Sequence, residues 1–380
     1  MATRGLVHIK NLLRSNMNSS RLIGLSAETI IRPVFSRFLC LKVESHDMKF
    51  YNENSTLVNN LTCMGVDVSL VRKRHPSILR RPTANQEFLK QFLQTKGVRE
   101  ECIASIISRY PLAIVRSSEI LEERWKLWRN ILKTDMEIVH ILERCPESFF
   151  RSNNNDNIVK NTIFFSSLGL TSNDLSKILT RAPRAFSSTV ELNKKMTDLL
   201  TEICLARGGE NAYDFVQKMI SKNTYIFSQS TKQVEANVEF LQSSLNLNNE
   251  KLLSLLLGRG ARILHLSNIY MEKCFANVNE KLSSCGYTER QVEMFVLKHP
   301  RMLRISPTKL NDKLDYFLKA KFEIKQIGAF PCILDKSLSD VNSRIKQLKK
   351  ANYNFSTHGI GILTLSKQRF EAKLIKIVNH

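Results

Sequence analysis

Three segments of the chain are variants of one short phrase: ISRYPLAI at residues 107–114, LERCPESF at 142–149 and LTRAPRAF at 179–186. Further copies, two of them without the proline, can be aligned on one anchor position. The eight anchors are Pro76, Pro111, Pro146, Pro183, Thr224, Gly260, Pro300 and Pro331. Successive anchors are 35, 35, 37, 41, 36, 40 and 31 residues apart. A period of this length is typical of a solenoid.

A large apolar side chain stands three residues after every anchor. These residues are Leu79, Ile114, Phe149, Phe186, Phe227, Ile263, Leu303 and Leu334. Proline does not continue a helix, so each anchor predicts a helix end followed by a short turn. We expect that turn to return the apolar side chain to the core.

The residues before each anchor have a helical pattern, as in Ile103, Ile106 and Ile107. Glycine, the usual residue after a helix C-terminus, stands about 14 residues before several anchors, at Gly97, Gly169 and Gly286. Capping-box pairs mark helix starts at Thr134 with Glu137, Thr171 with Asp174 and Thr288 with Gln291. One repeat is therefore predicted to be a helix, a tight turn, a second helix and a proline-led turn.

The first 43 residues differ from the rest in composition. They hold seven Lys or Arg residues and one acid, Glu28. On a helix, Arg4, Lys10 and Arg14 share one side and leucines the other, which is typical of a mitochondrial transit peptide. Residues 1–43 are thus predicted to be a transit peptide and disordered lead, and residues 55–380 one all-α superhelical solenoid of about nine repeats. A disordered basic tail and a chloroplast signal are the alternatives for the lead.

Features of enzymes, metal proteins and membrane proteins are absent from the sequence. The eight cysteines are scattered singly, with no CxxC pair and no zinc-ligand spacing. The GRG at residues 258–260 lacks the trailing Lys-Ser/Thr of a phosphate loop. No apolar run reaches the length of a membrane span. We therefore expect no catalytic residues, no metal, no cofactor and no membrane association.

The chain is strongly basic, with a formal net charge of +22. Residues 301–380 alone hold 16 Lys or Arg against 6 Asp or Glu, a net charge of +10. Such an excess indicates a polyanionic partner.

Basic residues recur two positions before the anchors and four or five positions after them. Residues at the same position of successive repeats line up along one edge of a solenoid. These basic residues, called the basic ladder below, therefore predict a groove that follows a phosphate backbone. The predicted phosphate contacts are Arg74, Arg109, Arg116, Arg181, Lys222, Lys298, Arg304 and Lys336. Nine repeats about 8–10 Å apart would span roughly 20–25 base pairs of duplex. The alternative is that some of these bases pair within their own helix, as Arg144 could with Glu143.

The repeats resemble those of the mitochondrial transcription termination factor family over nearly everything after residue 55. The likeness is clearest in ASIISRYP at 104–111 and ILERCPESFFRSNNN at 141–155, which are similar to the family's founding vertebrate member. It implies a left-handed superhelix that wraps as a monomer along the major groove of duplex DNA. It further implies a site in a mitochondrial leucine tRNA gene, where the protein bends and unwinds the duplex and turns bases out.

The same resemblance implies roles for individual residues. Base eversion would fall on Arg144, on Tyr225, where a phenylalanine is expected, and on Tyr270. Guanine readout would fall on Arg151, Arg184 and Arg369, since bidentate arginine is the commonest reader of guanine. Two departures, Gln233 and Cys332, stand where arginine is expected and put affinity or site identity in question.

The sequence thus predicts a sequence-specific binder of double-stranded mitochondrial DNA in the matrix nucleoid. It would terminate transcription downstream of the ribosomal RNA genes and meet mitochondrial RNA polymerase by collision. The first alternative is a factor that binds mitochondrial ribosomal RNA or assists ribosome assembly, although no repeated two-residue code for single-stranded RNA is visible. A protein scaffold is the second, and it accounts poorly for the basic ladder.

Overall fold

The computed structural model describes residues 53–378, so the predicted transit peptide at residues 1–43 lies outside the described part of the chain. Within that range the secondary structure is entirely helical, which confirms the all-α solenoid. It forms nine repeats of three helices each, followed by a closing helix, Lys367–Val378. No helix between residues 53 and 378 is both long enough and apolar enough to cross a bilayer.

The helix bounds follow the predicted period. The first helices of repeats 1 to 9 are Ser55–Cys63, Thr83–Thr95, Ser118–Ile131, Asp156–Ser167, Val190–Leu205, Thr231–Ser244, Asn268–Ser284, Pro307–Lys319 and Leu338–Lys350. The second helices are Val68–Arg74, Glu100–Arg109, Asp135–Arg144, Ser172–Arg181, Ala212–Lys222, Asn249–Leu257, Glu289–Lys298, Ile324–Ala329 and Phe355–His358. The third helices are Pro76–Arg80, Pro111–Val115, Pro146–Phe150, Arg184–Ser187, Thr224–Ser228, Gly260–Ile263, Pro300–Arg304, Pro331–Asp335 and Gly361–Thr364.

The turn between the first and second helices has the predicted chemistry. Gly97, Gly169 and Gly286 have φ angles of +84°, +71° and +85°. All three predicted capping boxes form, with the side chain and backbone bonds both present. Repeats 6 and 8 make the same turn without glycine, since Asn246 and Lys321 take φ angles of +45° and +64°.

The anchors begin the short third helices, which carry the predicted apolar side chains inward. Seven of the eight side chains are buried, all at 1% exposure or less. The exception is Phe227, which is only half-buried, while Ile226 beside it is fully buried. The position two residues after the anchor is buried in other repeats as well, as at Ile78 and Met302, so only the third position of repeat 5 departs from the common pattern. One continuous core joins all the repeats from Leu57 to Phe370.

Buried polar side chains on the first helices bind the backbone at the ends of the third helices. Arg124 is 1% exposed, and its Nη2 donates to the carbonyls of Ser152 at 3.0 Å and Asn154 at 2.7 Å. Burial, reinforced by the charge of Arg116, lowers the pKa of Arg124 to about 10, so the guanidinium stays protonated at neutral pH. These are carbonyls of the turn that follows the third helix, and Arg124 Nη1 also donates to the carbonyl of Phe149, which the helix end leaves without an intrahelical partner.

Asn237 does the same in repeat 6. It is fully buried, and its Nδ2 donates to the carbonyls of Leu264 at 3.0 Å and Leu266 at 2.8 Å. Equivalent bonds are made by Asn161 in repeat 4, Lys313 in repeat 8 and Arg344 in repeat 9. In each of these repeats a buried hydrogen bond therefore joins the first helix to the end of the third helix.

We predict that Asn237→Leu lowers the free energy of unfolding by about 1–3 kcal/mol, because it leaves the buried carbonyl of Leu264 without a donor. Urea unfolding followed by circular dichroism measures this. The matched control is Asn279→Leu, at an exposed position of a first helix, which should stay within about 0.5 kcal/mol of the wild type. Equal effects at the two positions would show that the buried bond is not what stabilises the repeat.

Candidate nucleic-acid interface

Many basic side chains of the ladder donate hydrogen bonds to backbone carbonyls of the following repeat. Arg74 Nη1 donates to the carbonyl of Arg109 at 2.7 Å, and Arg109 Nη1 donates to that of Arg144 at 3.2 Å. The series continues with Arg144 to Thr180, Arg259 to Lys298 and Lys298 to Gly328. Each cation lies at the C-terminus of a second helix and meets the carbonyl end of the next one, where positive charge is stabilising.

Two of the basic residues that follow the anchors make the same kind of contact. Arg116 Nε donates to the carbonyl of Phe150 at 2.6 Å, and Lys336 Nζ donates to that of Leu365 at 3.1 Å. Five of the eight predicted phosphate contacts therefore hold neighbouring repeats together. The pairing of Arg144 with Glu143 does not form, because the Glu143 carboxylate instead meets Arg99 at 3.5 Å. A guanidinium has five donors, so the carbonyl contacts leave others available for phosphate.

The other three predicted phosphate contacts surround a single cavity. Arg181, Lys222 and Arg304 come from repeats 4, 5 and 7, and Arg262 of repeat 6 joins them around about 230 Å³. Within residues 53–378, none of these four side chains has a hydrogen bond or ion pair, and no acid lines the cavity. Four consecutive repeats thus each present one unpaired cation to the same space, an arrangement suited to a phosphate group.

Tyr225 and His265 lie in this cationic cavity. Their ring centroids are 5.4 Å apart, with 36° between the planes, and Tyr225 is 41% exposed. Burial and the charge of Arg304 lower the pKa of His265, so its imidazole is neutral at pH 7. An exposed aromatic ring beside four cations is what stacking on a nucleotide requires.

A second cavity of about 380 Å³ adjoins the first and shares Lys222 and Arg262 with it. Unlike the first, it contains an acid: Asp335 lies 3.1 Å from His299 Nε2 and 3.5 Å from Arg301. Burial disfavours the charge on Asp335, but those contacts outweigh it and hold the pKa of the carboxyl below its usual range. Cys332 also lines this cavity.

The remaining predicted site residues are placed less uniformly. Tyr270 is half-buried near the start of a first helix, where burial raises the pKa of its hydroxyl, and it does not line the cationic cavity. Arg369 is exposed on the closing helix. Gln233 uses its amide within repeat 6, donating to the carbonyl of Leu266 at 2.7 Å.

Two predicted guanine readers are joined by one acid. Arg184 Nη2 lies 2.5 Å from Glu147 Oε2, and Arg151 Nη1 lies 3.9 Å from Glu147 Oε1. The side chains of Arg184 and Arg151 are 60% and 51% exposed, so both remain open to a ligand.

Comparison with known proteins agrees with this architecture. The sequence profile of the mTERF family matches residues 58–371, nearly the whole described solenoid. The chain belongs to the mTERF family. Membership supports a nucleic-acid-binding regulator and not an enzyme. No group of three or more His, Cys, Asp or Glu side chains within the described range could hold a metal ion.

Curated relatives of this mTERF-family protein extend over almost its full length. It is 47% identical to transcription termination factor 1, mitochondrial, of Homo sapiens, over 99% of this chain and 94% of the relative. It is 46% identical to the Rattus norvegicus protein of the same name, over 93% of each chain. Transcription termination factor 2, mitochondrial, of Homo sapiens is 29% identical over 91% of this chain and 89% of its own length.

Arg262, His265 and Arg301 line the two cavities of the candidate interface, although no sequence pattern indicated them. Arg301 follows its anchor directly, as Arg184 does, so the register alone could have identified it. Arg262 and His265 lie in the repeat whose anchor is glycine, where the phrase is too degraded to set the register.

Arg109→Ala and Arg181→Ala should separate the two kinds of ladder residue. The first should lower the free energy of unfolding by about 1 kcal/mol, because carbonyls of the next helix lose a donor. The second should leave stability within about 0.5 kcal/mol but flatten the salt dependence of duplex binding by about 0.9 units of log K per log salt. Urea unfolding and fluorescence anisotropy at several salt concentrations measure both. Indistinguishable variants would contradict the distinction.

Proposed function

We propose that this protein binds double-stranded mitochondrial DNA sequence-specifically and terminates transcription downstream of the ribosomal RNA genes. The cationic cavity carries the proposal, because four successive repeats converge there with no acid to neutralise them. Four unpaired cations around one small cavity suit a phosphate group of a nucleic-acid backbone, whose negative charge dominates protein–DNA affinity. The relatives are named mitochondrial transcription termination factors, which supports both the process and the compartment.

Termination in this proposal needs no chemistry. A monomer that bends and partly unwinds its site forms an obstacle, and mitochondrial RNA polymerase meets it by collision in the matrix nucleoid. Tyr225 is the best-placed residue for holding an everted base, since it is exposed beside Arg181 and Lys222. Arg144 and Tyr270 would assist from the neighbouring surface. Arg151, Arg184 and Arg369 would read guanines.

Footprinting of the full chain across the whole mitochondrial genome tests the proposal. We expect one strong footprint of about 20–25 base pairs, the length that nine repeats can cover. Thymines inside it should become reactive to permanganate if bases leave the stack. Uniform weak binding without a footprint, or tighter binding to ribosomal RNA in direct competition, would refute sequence-specific duplex recognition.

Variants of the predicted readers should then change specificity at single positions. Arg184→Ala and Arg369→Ala should each cost about 1–3 kcal/mol on the footprinted site and relax the preference at one guanine, since bidentate contacts discriminate by that amount. Sequencing of bound duplexes selected from a randomised site measures the preference. An equal loss on unrelated duplex would reassign these arginines to phosphate contacts.

Residues 1–43 are proposed to direct the chain into mitochondria. Their single acid and seven bases motivate this. A chain lacking them should fold and bind duplex like the full chain but fail to accumulate in mitochondria when expressed in cells. Normal accumulation of the truncated chain would rule out the transit peptide.

A further inference from the structure

The arginines of the interface fall into two electrostatic classes. Arg181, Arg262 and Arg304 face the cationic cavity, and no acid lies within ion-pair distance of them in residues 53–378. Arg184 and Arg151, by contrast, share the carboxylate of Glu147, at 2.5 Å and 3.9 Å. The acid comes from the third helix of repeat 3 and reaches the third helix of repeat 4, so it bridges two repeats.

The same acid leaves both arginines available to a ligand. Arg184 uses one N–H of Nη2 for Glu147 and keeps its other donors free. Its side chain is 60% exposed, whereas that of Glu147 is only 33% exposed. Glu147 is therefore the inner partner of the pair, and the guanidinium is the group presented to solvent.

A carboxylate at this position affects phosphate and guanine differently. A phosphate oxygen that approaches Arg184 brings a second negative charge next to Glu147, so binding must either break the ion pair or tolerate the repulsion. The N7 and O6 atoms of guanine are uncharged acceptors and cause no such conflict. Glu147 also restricts the rotamers of Arg184, which lowers the entropy lost when a bidentate contact forms.

We propose that Glu147 is a positioning residue that makes Arg151 and Arg184 selective for guanine edges by weakening their attraction to phosphate. This inference rests on the proposed duplex-binding function and adds a specificity determinant to it. The unpaired cations of the cationic cavity would then supply affinity, and the acid-held arginines would supply discrimination. The division predicts that removal of this acid makes the protein bind DNA more tightly but less selectively.

The test uses full-length Glu147→Gln, which keeps the shape and an acceptor oxygen but removes the charge. Its affinity for a fixed duplex of unrelated sequence should rise roughly two- to fivefold, because phosphate no longer competes with an exposed ion pair of that strength. Its salt dependence on that duplex should steepen by about 0.9 for each added phosphate contact. In the selection from a randomised site, the guanine preference that Arg184→Ala removes should also be reduced.

Two further variants control for charge and folding. Asp214→Asn removes the same charge from an ion pair with Lys218 at 2.6 Å, outside the lining of both cavities, and should leave affinity and selectivity unchanged. Glu147→Asp retains the charge and should keep the affinity for unrelated duplex low. The melting temperatures of all the variants should agree, which would show that each of them folds.

Three outcomes would overturn the inference. Glu147→Gln that behaves like Asp214→Asn would leave the carboxylate without a role in recognition. Equal weakening on selected and unrelated duplexes would give Glu147 a purely structural role. In both cases a wild type that still prefers one site leaves the proposed function intact. A wild type with no sequence preference would overturn the proposed function, and the inference would fall with it.

Discussion

The solenoid depends on satisfying backbone carbonyls at closely spaced helix ends. Each repeat ends three helices within roughly 35 residues, and every end leaves carbonyls without intrahelical partners. Side chains from elsewhere in the array supply the donors. Arg124 and Asn237 do so from first helices inside the core, and Arg74 and Arg109 do so from one repeat to the next. These contacts fix the register between repeats and so set where each basic side chain lies on the surface.

The local features of the fold could be predicted from the sequence because they depend on neighbouring residues. The anchor prolines, the capping boxes and the positive-φ glycines are chain-local signals, and each occurs where predicted. The inter-repeat contacts could not be predicted, because they depend on how far a side chain reaches to a segment one period away. For Arg109 the sequence predicts a phosphate contact or a partner within its own helix, whereas its guanidinium donates to the carbonyl of Arg144 in the next repeat. Phe227 lies in a repeat without its proline, and there the burial differs from the common pattern.

The basic side chains of the candidate interface fall into three groups with different contacts. Some, such as Arg116, brace the array through carbonyls. Others, around the cationic cavity, have no partner in residues 53–378 and form an acid-free surface beside Tyr225. A third set, Arg151 and Arg184, is held by Glu147. Different residues thus support the scaffold, attract a phosphate backbone and discriminate between nucleic-acid bases. The proposed activities can therefore be changed separately.

Hydrogen-exchange mass spectrometry of the full chain, free and bound to the footprinted duplex, tests the location of the interface most directly. We expect added protection to concentrate in the third helices and the C-terminal ends of the second helices, strongest around Lys222–Tyr225 and Arg262–His265. The middle of the first helices should exchange at the same rate in both states. Protection that appears mainly along the middle of the first helices would contradict the proposed interface, because it would place the nucleic acid away from the cationic cavity.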